Sequence, residues 1–236
     1  MTARVHRYAD SQQLQSGVAQ HLARHIASAQ ARHASTTLCL SDGLSEVCAA
    51  FSAIADGIDP EKMSLWWSDD RFTTITDPMR VSTKTLAALG TALRFAPDRV
   101  HPMPSTSGNA DVDAAALQYA GELGETTFDL AVLAMGNDGS VAGLAPGSAA
   151  YLRFTPHTVV GITDAAGGRL TLSLQTLSRA QVVWLIAAGS GAADALAKTV
   201  TDDVSLPSGA LRGRVATHIF ADEAAAAKLP WFTCEV

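Results

Sequence analysis

The chain has 236 residues, 47% of them hydrophobic and 17% charged, and 17 Lys+Arg against 23 Asp+Glu leave a formal charge of −6. That apolar share excludes a disordered chain, and the length exceeds that of a disulfide-stapled mini-protein. The acidic excess argues against a nucleic-acid partner, whose phosphates demand a basic face. Among the basic residues only Lys62, Lys84, Lys198 and Lys228 are lysines, so arginine carries most of the cation chemistry.

Residues 1–20 are polar and lack the apolar segment of a signal peptide. Leu14, Val18, Leu22 and Ile26 then recur at i, i+4, i+8 and i+12, one stripe of an amphipathic helix. Thr36–Leu40 has the pattern of a buried strand. Ser41-Asp42-Gly43 follows it, and then a helical stretch through Ile54. Leu65–Ser68 is a short strand that runs into the charged junction Ser68-Asp69-Asp70-Arg71. Thr83–Leu93 and Asp111–Glu122 read as helices, the second with Ala114, Leu117 and Ala120 toward the core. Phe128–Met135 is a buried strand ending in Gly136-Asn137-Asp138-Gly139. Leu170–Leu174 and Val182–Ala188 are further strands, separated by a helical segment at Gln175–Ala180. Gly191–Thr199 and Asp222–Leu229 close the chain as helices.

Strands alternating with helices imply crossover connections. The expected fold class is therefore α/β, a mostly parallel Rossmann-like sheet covered by helices on both faces. Ser105–Gly108 is the only loose patch, there is no internal repeat, and residues 1–236 read as a single domain. No apolar run approaches the ~20 residues of a membrane span. Cys39, Cys48 and Cys234 show no CxxC or metal spacing, which fits small buried hydrophobes in a reducing cytoplasm.

In such sheets ligands bind beyond the carboxyl ends of the strands. Three junctions there carry glycine with polar residues, at Ser41–Ser45, Met135–Ser140 and Gly189–Gly191. Glycine permits positive φ and close backbone approach, and free N–H groups at such turns attract phosphate. At the charged junction, a carboxylate beside Arg71 can fix its guanidinium and leave the fork for a phosphate. Other motifs carry less. Gly189-Ser190-Gly191 imitates a dinucleotide fingerprint, but Asp194 stands where its third glycine belongs. His21 and His25 are spaced i, i+4 without a third ligand nearby, and no G-x-S-x-G elbow exists.

Taken in order, these segments resemble the 6-phosphogluconolactonase family, part of a larger group that includes glucosamine-6-phosphate deaminases. Phe128–Gly139 looks like the family's "FDLxLLGMGxDGH", Val141–Ser148 like "TASLFPGS", and Gly168–Ser173 like "RRxTLT". Ser68–Arg71 sits where "GDER" would, and His101-Pro102-Met103 and Asp222–Ala226 also fit. The "ASLFPGS" side of the pattern favours the lactonase over the deaminase.

The resemblance implies hydrolysis of 6-phosphoglucono-1,5-lactone without metal or cofactor, in the cytoplasm, with a small sugar phosphate as the partner. It implies that Arg71 contacts the anionic substrate and that Ser41, Gly43 and Ser45 cradle phosphate, with Asp70, Gly139 and Arg169 completing the binding set. Asp138 would orient the catalytic turn. Several positions depart from the family pattern. Its "DGH" histidine, the base that activates water, is Ser140 here, and a hydroxyl has no basic pKa near 7. Its "SGGSTP" loop reads Ser41-Asp42-Gly43-Leu44-Ser45-Glu46, which places two carboxylates where phosphate should sit. Its "SN" is Ser82-Thr83, and its "GxxK" lysine is Ala192. These departures predict weakened activity. They leave open a catalytically silent paralogue that binds a sugar phosphate or a protein, and a related isomerase or deaminase. His157 and His218 are the candidates for a substitute base.

Overall fold

A computed structural model describes residues 3–32, 35–90, 93–109, 111–152, 158–165 and 167–230. The chain begins with strand β1 (Arg4–Tyr8) and helix α1 (Ser11–Arg32). Leu14, Val18, Leu22 and Ile26 of α1 are all buried, as their spacing requires. β2 (Thr36–Leu40), α2 (Ser45–Ser52), β3 (Met63–Trp67) and β4 (Asp69–Phe72) follow. Next come α3 (Val81–Leu89), the two-residue β5 (Val100–His101), α4 (Val112–Leu123) and β6 (Leu130–Ala134). The remaining elements are α5 (Ala149–Leu152), β7 (Val159–Asp164), β8 (Gly167–Leu172), α6 (Leu174–Leu177), β9 (Val182–Ala187), α7 (Ala193–Thr199), α8 (Pro207–Ala210) and β10 (Ala216–Asp222).

Seven strands form one sheet in the order β1-β10-β9-β6-β2-β3-β5, and every adjacent pair is parallel. Leu130 to Leu133 of β6 are fully buried, as expected for a central parallel strand covered on both faces. Helices flank it, α1 packing on β10 and α2, and α2 on α3; α4 packs on β7 and β8, which belong to a smaller sheet. The expected α/β class with a mostly parallel sheet is present.

A second, three-stranded antiparallel sheet, β4-β8-β7, stands beside it. The sequence reading missed this sheet and placed a strand-to-helix junction at Asp69–Arg71. Two adjacent aspartates disfavour a strand by propensity. Here both are buried and partnered, so pairing overrides propensity. β1, β7 and β10 were also unforeseen. The expected helix over Asp222–Leu229 is instead the end of β10 and a short 3₁₀ turn at Ala225–Lys228. The inward face of α4 is corrected too. Ala115, Ala116, Tyr119 and Leu123 are buried, whereas Leu117 is 66% exposed. Tyr119 sets the face: its hydroxyl shares its one proton between the carbonyls of His101 (3.0 Å) and Trp67 (3.3 Å) and accepts from the Trp67 N–H.

Strand order reverses between β2 and β6. From β2 the sheet runs outward through β3 to β5, and from β6 through β9 and β10 to β1. The carboxyl ends of β2 and β6 therefore flank a crevice at the switch point, the place where open parallel sheets bind ligands.

Candidate active site

A cleft of about 120 Å³ opens at that switch point, lined by Ser41, Asp42, Asp69, Ala134, Gly136, Ser140, Val141, Ala142, Gly143 and Arg169. The loop after β2 forms one wall. Ser41 is buried, and its hydroxyl accepts from the Ala134 N–H (2.8 Å) and donates to the Asp42 carbonyl (2.8 Å), tying β2 to β6. Gly43 has φ +80°, and an added Cβ would lie 3.1 Å from that of Ala134. Ser45 opens α2 two residues further on.

Asp42 does not stand as a bare carboxylate. Lys84 of α3 bonds it at 2.6 Å, and the Gly43 N–H bonds it at 2.8 Å. Partial burial pushes this carboxyl up, but Lys84 and Gly43 outweigh that and hold it below the usual range. The expected repulsion from Asp42 is thus offset by a lysine 42 residues away, which sequence reasoning did not find. Glu46 is exposed on α2.

The second wall is the turn after β6. Gly136 donates to the Ser140 carbonyl (2.9 Å), and Gly139, at φ +82°, donates to the Gly136 carbonyl (2.9 Å). A Cβ on Gly136 would fall 2.2 Å from Ser140 Oγ and 2.9 Å from Asp138 Oδ1, so only glycine lets these two polar groups lie there. Asp138 accepts from the Ser140 N–H (3.0 Å). The Ser140 hydroxyl also bonds Asp138 and is the main cause holding its carboxyl below the usual range. Asp138 is therefore ionised at neutral pH and a weak base. Ala142, in the left-handed region at φ +52°, passes the chain to Gly143, which lies against the Arg169 side chain.

The third wall is the small sheet. Arg71 and Arg169 are direct cross-strand partners, as are Asp69 and Thr171, so these four side chains share one face. Arg169 Nη1 bonds Asp69 Oδ2 at 2.5 Å. Burial pushes the Asp69 carboxyl up, against the pull of Arg169. The Arg71 side chain is exposed and, among the described residues, has no hydrogen-bond or ion-pair partner.

Asp70 corrects the sequence reading. It is fully buried and points away from the cleft, accepting from the Arg71, Val81 and Ser82 N–H groups, the Ser82 hydroxyl, and Arg80 Nε and Nη2. The arginine it fixes is Arg80, not Arg71, so Asp70 positions the 70–82 loop and is not a ligand group. A larger depression, of about 450 Å³, lies beyond that loop. Its charged group, Arg80, is committed to Asp70 and the Met103 carbonyl, which leaves no free cation for an anion.

Ala192 is fully buried, and the neighbouring Gly191 lies against the Asn137 side chain, linking the 189–191 turn to the second wall. His218 is excluded as a substitute base. It sits mid-β10, two strands from β6, stacked near His6 and bonded to it at 2.9 Å. His157 lies outside the described residues, as does Cys234. Cys39 and Cys48 are buried free thiols. Among the described residues, no cluster of three or more His, Cys, Asp or Glu could hold a metal, the His21 and His25 pair included. No described helix is long and apolar enough to cross a membrane.

Residues 9–219 match the family described as glucosamine-6-phosphate isomerases/6-phosphogluconolactonase. The chain belongs to that family. A 6-phosphogluconolactonase of Streptomyces coelicolor is 34% identical, the match covering 96% of this chain and 94% of the relative. Another from Mycobacterium tuberculosis is 32% identical, over 98% of this chain and all of the relative. The solved 6-phosphogluconolactonase of Trypanosoma brucei superposes with a TM-score of 0.82 at 17% identity, over 97% of this chain and 99% of that one. That likeness establishes the shared fold. Within this family frame, the cleft at the β2/β6 switch point brings together Ser41, Ser140 and Arg169 of the residues picked from sequence. Gly43, Asp138, Gly139 and Arg71 border it, and Asp70 stands behind it.

Proposed function

We propose that this chain is a 6-phosphogluconolactonase of reduced turnover, a single-domain cytoplasmic hydrolase of 6-phosphoglucono-1,5-lactone. The observation that carries the reading is the switch-point cleft, where the glycine turns at Gly43 and Gly136–Gly139 meet Arg71, Arg169 and Lys84. Phosphate is bound by the N–H and O–H donors of Ser41, Gly43 and Ser45, with Lys84 beside them. Water adds to the lactone carbonyl carbon, and the arginines stabilise the oxyanion that forms. The ring C–O bond then breaks. The ring oxygen leaves as a hydroxyl carrying one proton, and the new carboxyl group releases another to water.

The slow rate follows from two features. Ser140 and an acidified Asp138 provide no group poised to take a proton from water near neutral pH. The cations are also largely spent: Lys84 faces Asp42, and Arg169 faces Asp69, which leaves Arg71 as the charge unpaired among the described residues. The lactone opens readily by itself, so modest polarisation of its carbonyl still gives a measurable rate.

The test follows acid release from freshly made 6-phosphoglucono-1,5-lactone, with spontaneous hydrolysis subtracted. Turnover above background but below ~1 s⁻¹, the lower edge of the usual enzyme range, is expected. A rate within ~1–10³ s⁻¹ overturns the reduced-turnover reading. No rate above background, with phosphate binding retained, assigns a silent binding protein. Activity on glucosamine 6-phosphate instead assigns a deaminase.

A further inference from the structure

We propose that Arg179 and Arg214 form a second oxyanion site, at the end of the sheet opposite the cleft, for inorganic phosphate or the phosphate of a small ester. A depression of about 360 Å³ is lined by Leu174, Gln175, Ser178, Arg179 and Arg214. Arg179 precedes β9 and Arg214 precedes β10, so both stand at the amino ends of neighbouring parallel strands. The Arg214 N–H donates to the Ala180 carbonyl (2.9 Å), which holds the two segments side by side. The cleft lies at the carboxyl ends, about 20 Å away along β9 at ~3.3 Å per residue.

The Arg179 guanidinium is the group that calls for a ligand. Its Nε and Nη2 are shielded from water and, among the described residues, have no hydrogen-bond partner. Arginine keeps its charge in proteins, so it cannot relieve this burial by losing a proton. Three other partly or fully buried arginines face carboxylates. Arg80 faces Asp70, Arg169 faces Asp69, and Arg212 faces Asp202. Among the described residues no carboxylate lines the depression at Arg179, where a second arginine stands in its place. Two guanidiniums with the Ser178 hydroxyl and the Gln175 amide form a donor set without an acceptor charge. An oxyanion with several oxygens completes it, because guanidinium N–H groups donate to such oxygens in pairs, the Arg179 side chain turning its shielded Nε and Nη2 toward the ion as it binds. The depression is open, so any group esterified to the phosphate extends into solvent. This site is independent of the reaction in the cleft.

The test titrates inorganic phosphate into the ¹⁵N-labelled full chain, at constant ionic strength set with chloride. It is run on wild type and on an Arg71→Gln, Lys84→Gln variant whose cleft lacks two of its cations. Saturable shifts of the Gln175, Ser178 and Arg179 amides are expected in both. Arg214→Gln, a change at an exposed residue, should weaken that curve at least ~10-fold, the effect of losing one charge-assisted contact. Shifts confined to residues 41–45 and 136–140 overturn the proposal, as does a distal curve unchanged by Arg214→Gln. Glucose 6-phosphate distinguishes the source. Tighter binding than phosphate points to an ester, weaker binding to the free ion, and both support the site.

Discussion

Replacing Lys84 by methionine tests how this cleft tolerates a carboxylate in its phosphate loop. The Lys84–Asp42 pair is 2.6 Å long, with the two side chains 29% and 40% exposed. At that exposure the pair adds at most ~1 kcal/mol to stability, so Lys84→Met should melt within about 4 °C of wild type. The effect on substrate is larger. Without the ammonium, Asp42 presents an uncompensated charge about 6 Å from a dianionic phosphate, and at a partly solvated dielectric near 60 the repulsion is ~2 kcal/mol. That corresponds to roughly a 30-fold loss in kcat/KM, expressed as a raised KM, because the phosphate is remote from the reacting carbonyl. Initial rates over a range of lactone concentrations separate KM from kcat. The double change Asp42→Asn with Lys84→Met removes both charges and should return KM to within about threefold of wild type. A KM that stays within about twofold in Lys84→Met refutes the electrostatic account, as does a double variant no better than the single one.

Ser140→His should raise kcat by ~10²-fold, the lower range of general-base catalysis, and give the pH–rate profile a limb near the imidazole pKa of ~6.5. It should remain below a fully equipped family enzyme, because Lys84 and Arg169 still face carboxylates. A full recovery, or no new limb, contradicts the assignment of the missing base. Asp70→Asn should cost roughly 3 kcal/mol in urea unfolding, since it strands the buried Arg80 guanidinium. A loss under ~1 kcal/mol would place the Arg80 charge in contact with water after all. His6 supplies a pH prediction. Burial, aided by the neighbouring His218, His21 and Arg4 charges, pushes its imidazole down to about 4. An unfolded histidine titrates near ~6.5, so below that pH the unfolded chain takes up a proton that the folded chain refuses. Stability from this site is therefore full above ~6.5 and lost as pH falls toward 4. His6→Phe, which keeps the stack on Phe220, should lessen the fall of the melting temperature across that window, the remainder coming from His21, His25 and His218, which burial also pushes down; parallel profiles would sink the claim.

The elements legible in the sequence are those whose signal is local. β2, β6 and β9 are short apolar runs, and the α1 stripe needs only its 3.6-residue period. The glycine turns at 43 and 136–139 were legible because positive φ and close approach leave few alternatives to glycine. What escaped depends on partners far along the chain. β4 carries Asp69 and Asp70, which no propensity places in a buried strand. Arg169, 100 residues later, and Arg80, from a loop, make that burial tolerable. β1 and β10 were hidden by His6 and His218, polar by type but stacked on Phe220 and on each other.

Partners distant along the chain also set the charge of the site. Read along the chain, the phosphate loop gains Asp42 and the third junction lacks a lysine at Ala192, so function looks doubly impaired. In space, Lys84 reaches the crevice from the β2 side while Ala192 lies on the β9 side. That lysine cancels the added carboxylate, and Arg71 is the cation left unpaired among the described residues. Among the described residues lining the cleft, no imidazole replaces the missing base. That separates two expectations that sequence alone merged: binding of the anionic substrate should be close to ordinary, and the proton-transfer step should be slow. A KM in the usual range of ~1 μM–1 mM alongside a depressed kcat is the signature of this division. A raised KM with an ordinary kcat would mean that Lys84 fails to compensate and that water needs no base in this cleft.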